Sequence, residues 1–462
     1  GNFFNLPGGA VQFAVGAEYR RETSSSRFSD LELGILPANS PAGPAGTFVG
    51  DVSANQQLIF DPSTRTLNTG GSFDVEEVFG EVSLPILKDT PFFHELTVGA
   101  AGRYANYSTV GGAFTWNVNA AWAPVPDIRF RGTYARAIRA PNIAELFSPA
   151  QGATFRPSDP CDVVNQTATP SRLANCIAAA TALGIPNAAT FIANYSDPLT
   201  GRFSGATGGN PNLDKETATT WSIGTVLQPR YIRGLTISAD YYSIRINNAI
   251  AAVTAQDTVN TCYDNTTFPN QFCSLFTRNG PSSGPATFGF NFLTQTQLNF
   301  GRIETSGIDA SINYAFSIAS KYKINIALNG NWTEKVDRYF DPNDPTLVNP
   351  ALRELSVPEF SGTANINVKR GLFSFGYNVQ YIDSTAAAAA IQIERIATEF
   401  GDAGFAPTYF IHGLSFNFDI FKDSSIYGGV NNLTNAQPYI SSSAYPVSGL
   451  GRLLFLGVRT RL

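Results

Sequence analysis

The sequence predicts an all-β fold: the wall of a transmembrane antiparallel β-barrel with about 14 strands. Three observations carry that prediction. Apolar and polar residues alternate with period two in segment after segment, which marks strands with one apolar face. The connections between these segments are alternately short and long, as in membrane barrels with tight turns on one rim and extended loops on the other. The composition favours strand formers and small polar residues (Phe 35, Tyr 18, Gly 41), and only 15% of residues are charged, against roughly 25% in soluble domains.

The strands follow in order. Val11, Phe13, Val15, Ala17 and Tyr19 alternate with Gln12, Ala14, Gly16, Glu18 and Arg20, so residues 9–22 form a strand. A long irregular loop containing PANSPAGPAG covers residues 23–70. Residues 73–84 and 96–104 are strands joined by the short turn PILKDTPFF, and a brief link near Ser108 leads to Phe114, Trp116, Val118, Ala120 and Trp122. Those five make the clearest outward aromatic face of the first half. PVPD turns the chain into Phe130, Gly132 and Tyr134, after which residues 141–212 form the longest loop, with an Ala-rich piece near Cys176 suited to one or two helical turns.

Residues 216–227 and 235–246 are a strand pair joined by QPRYIRG, and a second long loop runs over residues 249–297. Ile308, Ala310, Ile312, Tyr314 and Phe316 then lead through SIASK to the most sharply divided strand, where Tyr322, Ile324, Ile326, Leu328, Gly330 and Trp332 oppose Lys323, Asn325, Ala327, Asn329, Asn331 and Thr333. Residues 360–368 and 373–381 flank the turn KRGL, and a loop with five consecutive alanines follows. Residues 408–420, the turn FKDS, a further strand into NNLTN and the run RLLFLGVRTRL complete the pattern.

No segment approaches the roughly 18 consecutive apolar residues of a membrane helix. The mean hydropathy of -0.06 fits a barrel, because only alternate residues of each strand meet lipid. A formal charge of -5 speaks against nucleic acid as a partner. The four cysteines fall in two local pairs, Cys161 with Cys176 and Cys262 with Cys273, in turn-rich segments without metal-site spacing. They read as two loop disulfides formed in an oxidising compartment, the alternative being free structural thiols. With no methionine and no export signal, the chain reads as a processed product or a fragment of an exported protein.

Nothing in the sequence points to catalysis, a metal or a cofactor. His94 and His412 are the only histidines, and His412 falls on the lipid side of its strand. Ser24–Ser26 and Ser441–Ser443 have no inferable histidine and acid beside them. Glu76 and Glu77 are adjacent and point to opposite faces. Asp341 and Asp344 of DPNDP are read as part of a proline-stiffened loop, with calcium binding as the alternative. The inward face offers Arg20, Arg103, Arg131, Asn325, Asn329, Asn365, Asn367, Asn417, Asp419, Arg459 and Arg461, a hydrated lining suited to a pore or to a polar plug.

The chain resembles the C-terminal part of a TonB-dependent outer-membrane receptor of Gram-negative bacteria. The resemblance is carried by FFNLPGGAVQFAVGAEYRRE at the start, FRGTYARAIRAPNIAELFSP at Phe130 to Pro149, the segment beginning GNPNLDKETATTW at Gly209, GRIETSGIDASINY at Gly301, and GVNNLTNAQPY with GRLLFLGVRTRL at the end. RAP followed by ELF resembles the family's approach to a large extracellular loop. Asn210, Pro211, Leu213, Glu216 and Thr217 resemble its return into the next strand, and Asn431, Asn432, Leu433 and Asn435 the segment before the last loop. Leu462 stands where the family usually ends on an aromatic residue.

The resemblance implies that residues 1–462 are the C-terminal part of a 22-stranded barrel in the bacterial outer membrane. The plug, the first strands and the segment that touches TonB would then lie outside this chain. It implies energy-coupled import of a scarce, bulky solute: an iron chelate, cobalamin, an oligosaccharide or another large nutrient. The implied partners are a plug-bearing N-terminal portion of the same receptor, TonB through that portion, outer-membrane lipid or lipopolysaccharide, and the nutrient itself. Tyr195, Phe203, Tyr263, Phe268 and Phe272 in the long loops are the candidate substrate-binding residues. The alternatives are a passive 14-stranded channel and a structural adhesin. On the receptor reading, the last strand pairs with a first strand from outside the chain and not with the strand at Val11.

Overall fold

The computed structural model of the chain describes residues 1–30, 33, 35–36, 39–41, 43–46, 67–198, 201–339, 348–387, 389–421, 423–439 and 445–460. Asp341, Asp344, Ser441–Ser443, Arg461 and Leu462 lie outside them. One 16-stranded sheet dominates. Along it, in chain order, lie Asn2–Leu6, Gly9–Ser26, Thr69–Thr90, Phe93–Tyr107, Gly111–Val125, Ile128–Arg139, Glu216–Leu227, Leu235–Ala252, Gln297–Ile318, Tyr322–Tyr339, Phe360–Arg370, Phe373–Ile382, Tyr409–Phe421, Ser424–Asn431 and Leu453–Thr460. The two-residue strand Asn349–Pro350 pairs beside Tyr322–Tyr339, off this path.

Every long strand that the alternation predicts is present, and several are longer than predicted. Phe93 opens its strand right after the turn that closes Thr69–Thr90, and Gln297–Ile318 begins well before the alternation at Ile308. The extension at Phe93 lies at the turn rim and that at Gln297 toward the loop rim, both beyond the lipid-facing span, where the apolar period fades. The additional strand is Asn2–Leu6, a five-residue hairpin partner of Gly9–Ser26 turned at Pro7 and Gly8.

Directly opposed residues on neighbouring strands share a face, so the register sorts the two sides of the sheet. Ile237, Ile312, Leu328, Ala364, Val379 and His412 lie in one cross-strand row, on the same side as the exposed Val15, Val118, Ile223 and Val458. Aromatic residues gather at two levels of this side. Near the loop rim, Trp116 meets Tyr134 (ring centroids 5.4 Å apart), Trp221 meets Tyr241 (5.2 Å), and Tyr381 meets both Phe360 (5.6 Å) and Phe410 (5.1 Å). Near the turn rim, Trp122 stacks on Phe130 at 5.5 Å and Tyr314 on Phe316 at 4.5 Å.

Tyr322 and Trp332 mark the two levels on one strand. Their ten residue steps span about 33 Å along a strand and, at a tilt of about 40°, about 25 Å of height. That is the height of an outer-membrane apolar band between its aromatic girdles. The opposite face carries Asn325 against Asn367, Asn365 against Asn378, and Asn329 against Ser311 and Thr363.

Above the loop rim, the two longest connections fold together into one small domain. Its four-stranded sheet has the order Phe276–Arg278, Phe290–Gln295, Phe203–Thr207, Gln151–Phe155. Three helices, Arg172–Ala182, Ala188–Ala193 and Ala255–Asp264, complete it around a core that includes Ile192, Val259, Phe288, Phe290 and Leu293. The sequence predicts irregular loop here apart from one or two helical turns near Cys176, where the helix Arg172–Ala182 forms. The strands are too short and turn-flanked to show a period, and burial within the domain, not a membrane face, selects their apolar residues.

Candidate functional site: the polar inner wall and the loop domain on its rim

The inner wall is held by polar ladders across strands. Arg131, Gly224 and Asp240 stand side by side on three successive strands. The guanidinium of Arg131 reaches across the middle strand to clasp the Asp240 carboxylate, Nε to Oδ1 at 2.7 Å and Nη2 to Oδ2 at 2.5 Å. Glycine between them is required: a Cβ on Gly224 would stand 1.9 Å from Asp240 Oδ1. Beside this pair, Asn331 donates to Asp309 Oδ1 at 2.8 Å, Ser238 and Ser311 share a hydrogen bond at 2.9 Å, and Asn329 Nδ2 donates to Thr363 Oγ1 at 3.4 Å. Together with Tyr242 and Gln380 they line a recess of about 720 Å³. Its hydroxyls, amides and carboxylates suit a hydrated path or a polar partner surface.

On the same face, Arg103 pairs with Glu77 at 3.2 Å, and Lys369 with Asp419 at 3.5 Å. Glu76 and Glu77 do point to opposite faces: Glu76 is exposed and Glu77 is buried. His412 lies on the outer side, its Nδ1 2.8 Å from the Tyr377 hydroxyl.

The rim carries a charged clasp built from two segments distant in sequence. Arg139, the last residue of its strand, forms two bonds to Glu216 (Nε to Oε2 2.7 Å, Nη2 to Oε1 2.9 Å) and two to Glu145 (Nη1, 3.1 and 2.9 Å). Glu145 belongs to the short helix Ile143–Phe147, where it completes a capping box with Asn142. Glu216 also accepts the backbone N–H of Ile250 at 2.7 Å. Asn210 N–H donates to the Glu145 carbonyl at 2.7 Å, and Asn210 Nδ2 to the Gln297 carbonyl at 3.0 Å. The segments RAPNIAELF and NPNLDKE thus meet and close the base of the loop domain. Bidentate, charge-assisted bonds of this kind fix geometry as well as adding energy.

Inside the loop domain, Arg278 and Asp159 form a fully buried ion pair, their side chains 3% and 0% exposed. Burying two charges is costly unless their bonding is complete, and here it nearly is. Arg278 Nη1 and Nη2 donate to the two Asp159 oxygens at 2.7 Å each, Nε donates to the Tyr263 hydroxyl at 2.7 Å, and Nη1 also to the Phe288 carbonyl at 2.7 Å. The Phe288 and Phe290 rings lie 4.3 and 4.1 Å from the guanidinium carbon, at cation–π distance. Asp159 accepts further bonds from the Tyr195 hydroxyl (3.0 Å) and Cys161 N–H (2.9 Å). Burial foremost, and then the Asp159 charge, raises the Tyr195 phenol above its ordinary value, and burial likewise raises Tyr263. For Arg278 burial works against the charge, but Asp159 outweighs it and the guanidinium stays charged.

The structure gathers the candidate ligand-contact residues, but as a core. Tyr195, Phe203, Tyr263 and Phe272 are 4, 8, 2 and 2% exposed, and Phe268 packs against them. Their rings stack within the domain, Tyr263 on Phe268 at 5.9 Å and Phe203 on Phe290 at 5.4 Å, with Phe268 only partly buried. Aromatic residues in a long loop are expected to be exposed; a loop with its own core reverses that. The cysteines are joined as Cys161–Cys176 and Cys262–Cys273, with Cα atoms 5.6 and 4.9 Å apart. The keystone pair Asp159–Arg278 had no sequence signal, since its members stand 119 residues apart in turn-rich segments.

An antiparallel sheet with a doubly girdled apolar face and a polar inner face is the wall of an outer-membrane β-barrel. Residues 1–433 match the family model described as TonB dependent receptor-like, beta-barrel, and the chain belongs to that family, in the bacterial outer membrane. No curated protein matches the chain significantly in sequence. Among solved structures, it is similar in fold to the ferric enterobactin receptor PfeA of Pseudomonas aeruginosa in a mutant form, with 14% identity and a TM-score of 0.56, covering 99% of this chain and 52% of that one. It is similar also to the siderophore receptor PirA of Acinetobacter baumannii, with 12% identity and a TM-score of 0.55, covering 98% and 52%. The chain therefore spans about half the length of the solved receptors it matches.

Proposed function

We propose that the chain forms the C-terminal wall and extracellular loops of a TonB-dependent receptor, which imports a scarce, bulky solute across the outer membrane by energy-coupled transport. The observation that carries this reading is a membrane wall open at both ends. Among the described residues no pairing joins Asn2–Leu6 to Leu453–Thr460, and both are edges of the sheet. On the last strand, Leu454, Leu456 and Val458 are 71, 76 and 71% exposed. Unpaired backbone in hydrocarbon costs several kcal/mol per group, so each edge needs a partner strand. On this reading the partners are the remaining strands of a 22-stranded barrel, and the polar inner wall faces a plug carried by the same portion. TonB acts through that portion.

The first solute class to test is a ferric siderophore, because receptors for such compounds share the fold. Radiolabelled ferric siderophore uptake is measured in cells with the full receptor, with and without a working TonB system. Uptake that requires both receptor and TonB supports the proposal. Solute flux that is unchanged without TonB overturns it in favour of a passive channel.

A further inference from the structure

We propose that the two longest extracellular loops, residues 140–215 and 253–296, are a single cooperative element that opens as a whole or not at all, locked by Asp159 and Arg278. This holds whichever solute the receptor takes. Several connections span from one loop to the other. The pair Asp159–Arg278 is buried and bonded as described. Arg172 clasps Asp264 through Nε at 2.5 Å and Nη2 at 2.6 Å, and Thr169 donates to the same carboxylate at 2.9 Å. Gln256 exchanges hydrogen bonds with the Ser158 backbone in both directions, at 2.7 and 3.0 Å. Phe290–Gln295 of one loop pairs in parallel with Phe203–Thr207 of the other, so one sheet contains strands from both.

Neither loop can leave this arrangement without stranding charge. If the 253–296 loop moved alone, Asp159 would keep only the Tyr195 hydroxyl and the Cys161 N–H inside an apolar core. Arg278 would lose both carboxylate bonds and keep rings that cannot neutralise it. Breaking a buried pair in this way costs about 3 to 5 kcal/mol. The disulfides staple each loop within itself, at separations of 15 and 11 residues, and do not link one loop to the other.

The helix Ile393–Phe400, in the loop before Tyr409, is a contrast: none of its residues is buried. Low burial goes with low local stability. Solute capture at the loop-domain sector is therefore by a preformed surface moving as one body, and independent closure of its two loops is excluded.

Hydrogen–deuterium exchange on the full receptor in detergent tests this. In the unaltered protein, the slow amides of residues 151–155, 203–207, 258–262 and 290–295 should share one opening rate and one dependence on denaturant, with residues 393–400 exchanging far faster. Arg278→Leu should speed exchange about a hundredfold or more in both loops together, and the double variant Asp159→Leu/Arg278→Leu should recover most of that protection. Separate opening rates for the two loops in the unaltered protein overturn the proposal, as does acceleration confined to residues 253–296 in Arg278→Leu. The unaltered protein alone decides between one opening unit and two, even if the single variant fails to assemble.

Discussion

Replacing Leu328 by arginine tests the assignment of the two faces of the wall. Leu328 is 38% exposed on the outer side, between Ile312 and Ala364. It stands four residue steps from Trp332, about 10 Å below the outer girdle in height, and so near the middle of an apolar band about 25 Å tall. Arginine on the lipid face near the bilayer midplane costs about 2 to 4 kcal/mol, a shift of roughly 30- to 900-fold in the folding equilibrium. The neighbouring residue is the control. Asn329 points to the polar inner wall, where its side chain makes a long bond to Thr363, and Asn329→Arg should cost about 1 kcal/mol or less. Urea-dependent folding of the full receptor into lipid vesicles measures both variants. If Asn329→Arg costs as much as Leu328→Arg, the faces are misassigned.

Three further predictions bear on the rim and the loop domain. Arg139→Gln leaves Glu145 and Glu216 without their shared cation; a local loss of about 1 to 3 kcal/mol is expected, seen as new protease cleavage in residues 140–150 and 208–215 with the barrel intact. Cys161→Ser/Cys176→Ser removes a staple with a sequence separation of 15, worth about 3 kcal/mol, and should speed loop-domain proteolysis without changing the heat-induced gel shift of the barrel. The Tyr195 and Tyr263 phenols keep their protons in the folded state at pH values where the unfolded chain, titrating near 10.0, has begun to release them. Loop-domain stability should therefore be full below pH 10 and fall as pH rises above it; Tyr195→Phe should flatten that alkaline decline, and an unchanged decline would show that Tyr195 does not contribute.

The membrane wall was legible in the sequence because a bilayer imposes a simple rule on it. Lipid on one side and water on the other force Tyr322 to Trp332, or Phe410 to Phe418, into strict alternation, and no tertiary detail is needed to read that. Asn2–Leu6 escaped because five residues before a Pro-Gly turn show no period. The clasp was half legible: its segments carry the family resemblance, but their meeting through Arg139 is a matter of register between strands. The loop domain was hidden. Its core is set by contacts between segments about a hundred residues apart, and its charged lock looks, in sequence, like any surface aspartate and arginine. Nor does the sequence show that Tyr195 and Tyr263 hydrogen-bond to the two members of that lock.

If strands and a plug from outside the chain complete this wall, the native mass of the purified particle and its single-channel conductance in a planar bilayer should change together. The expected result is a mass well above 49.6 kDa, reflecting the added strands and plug, and no steady open-pore current. A particle of 49.6 kDa that conducts continuously would contradict a wall completed from outside.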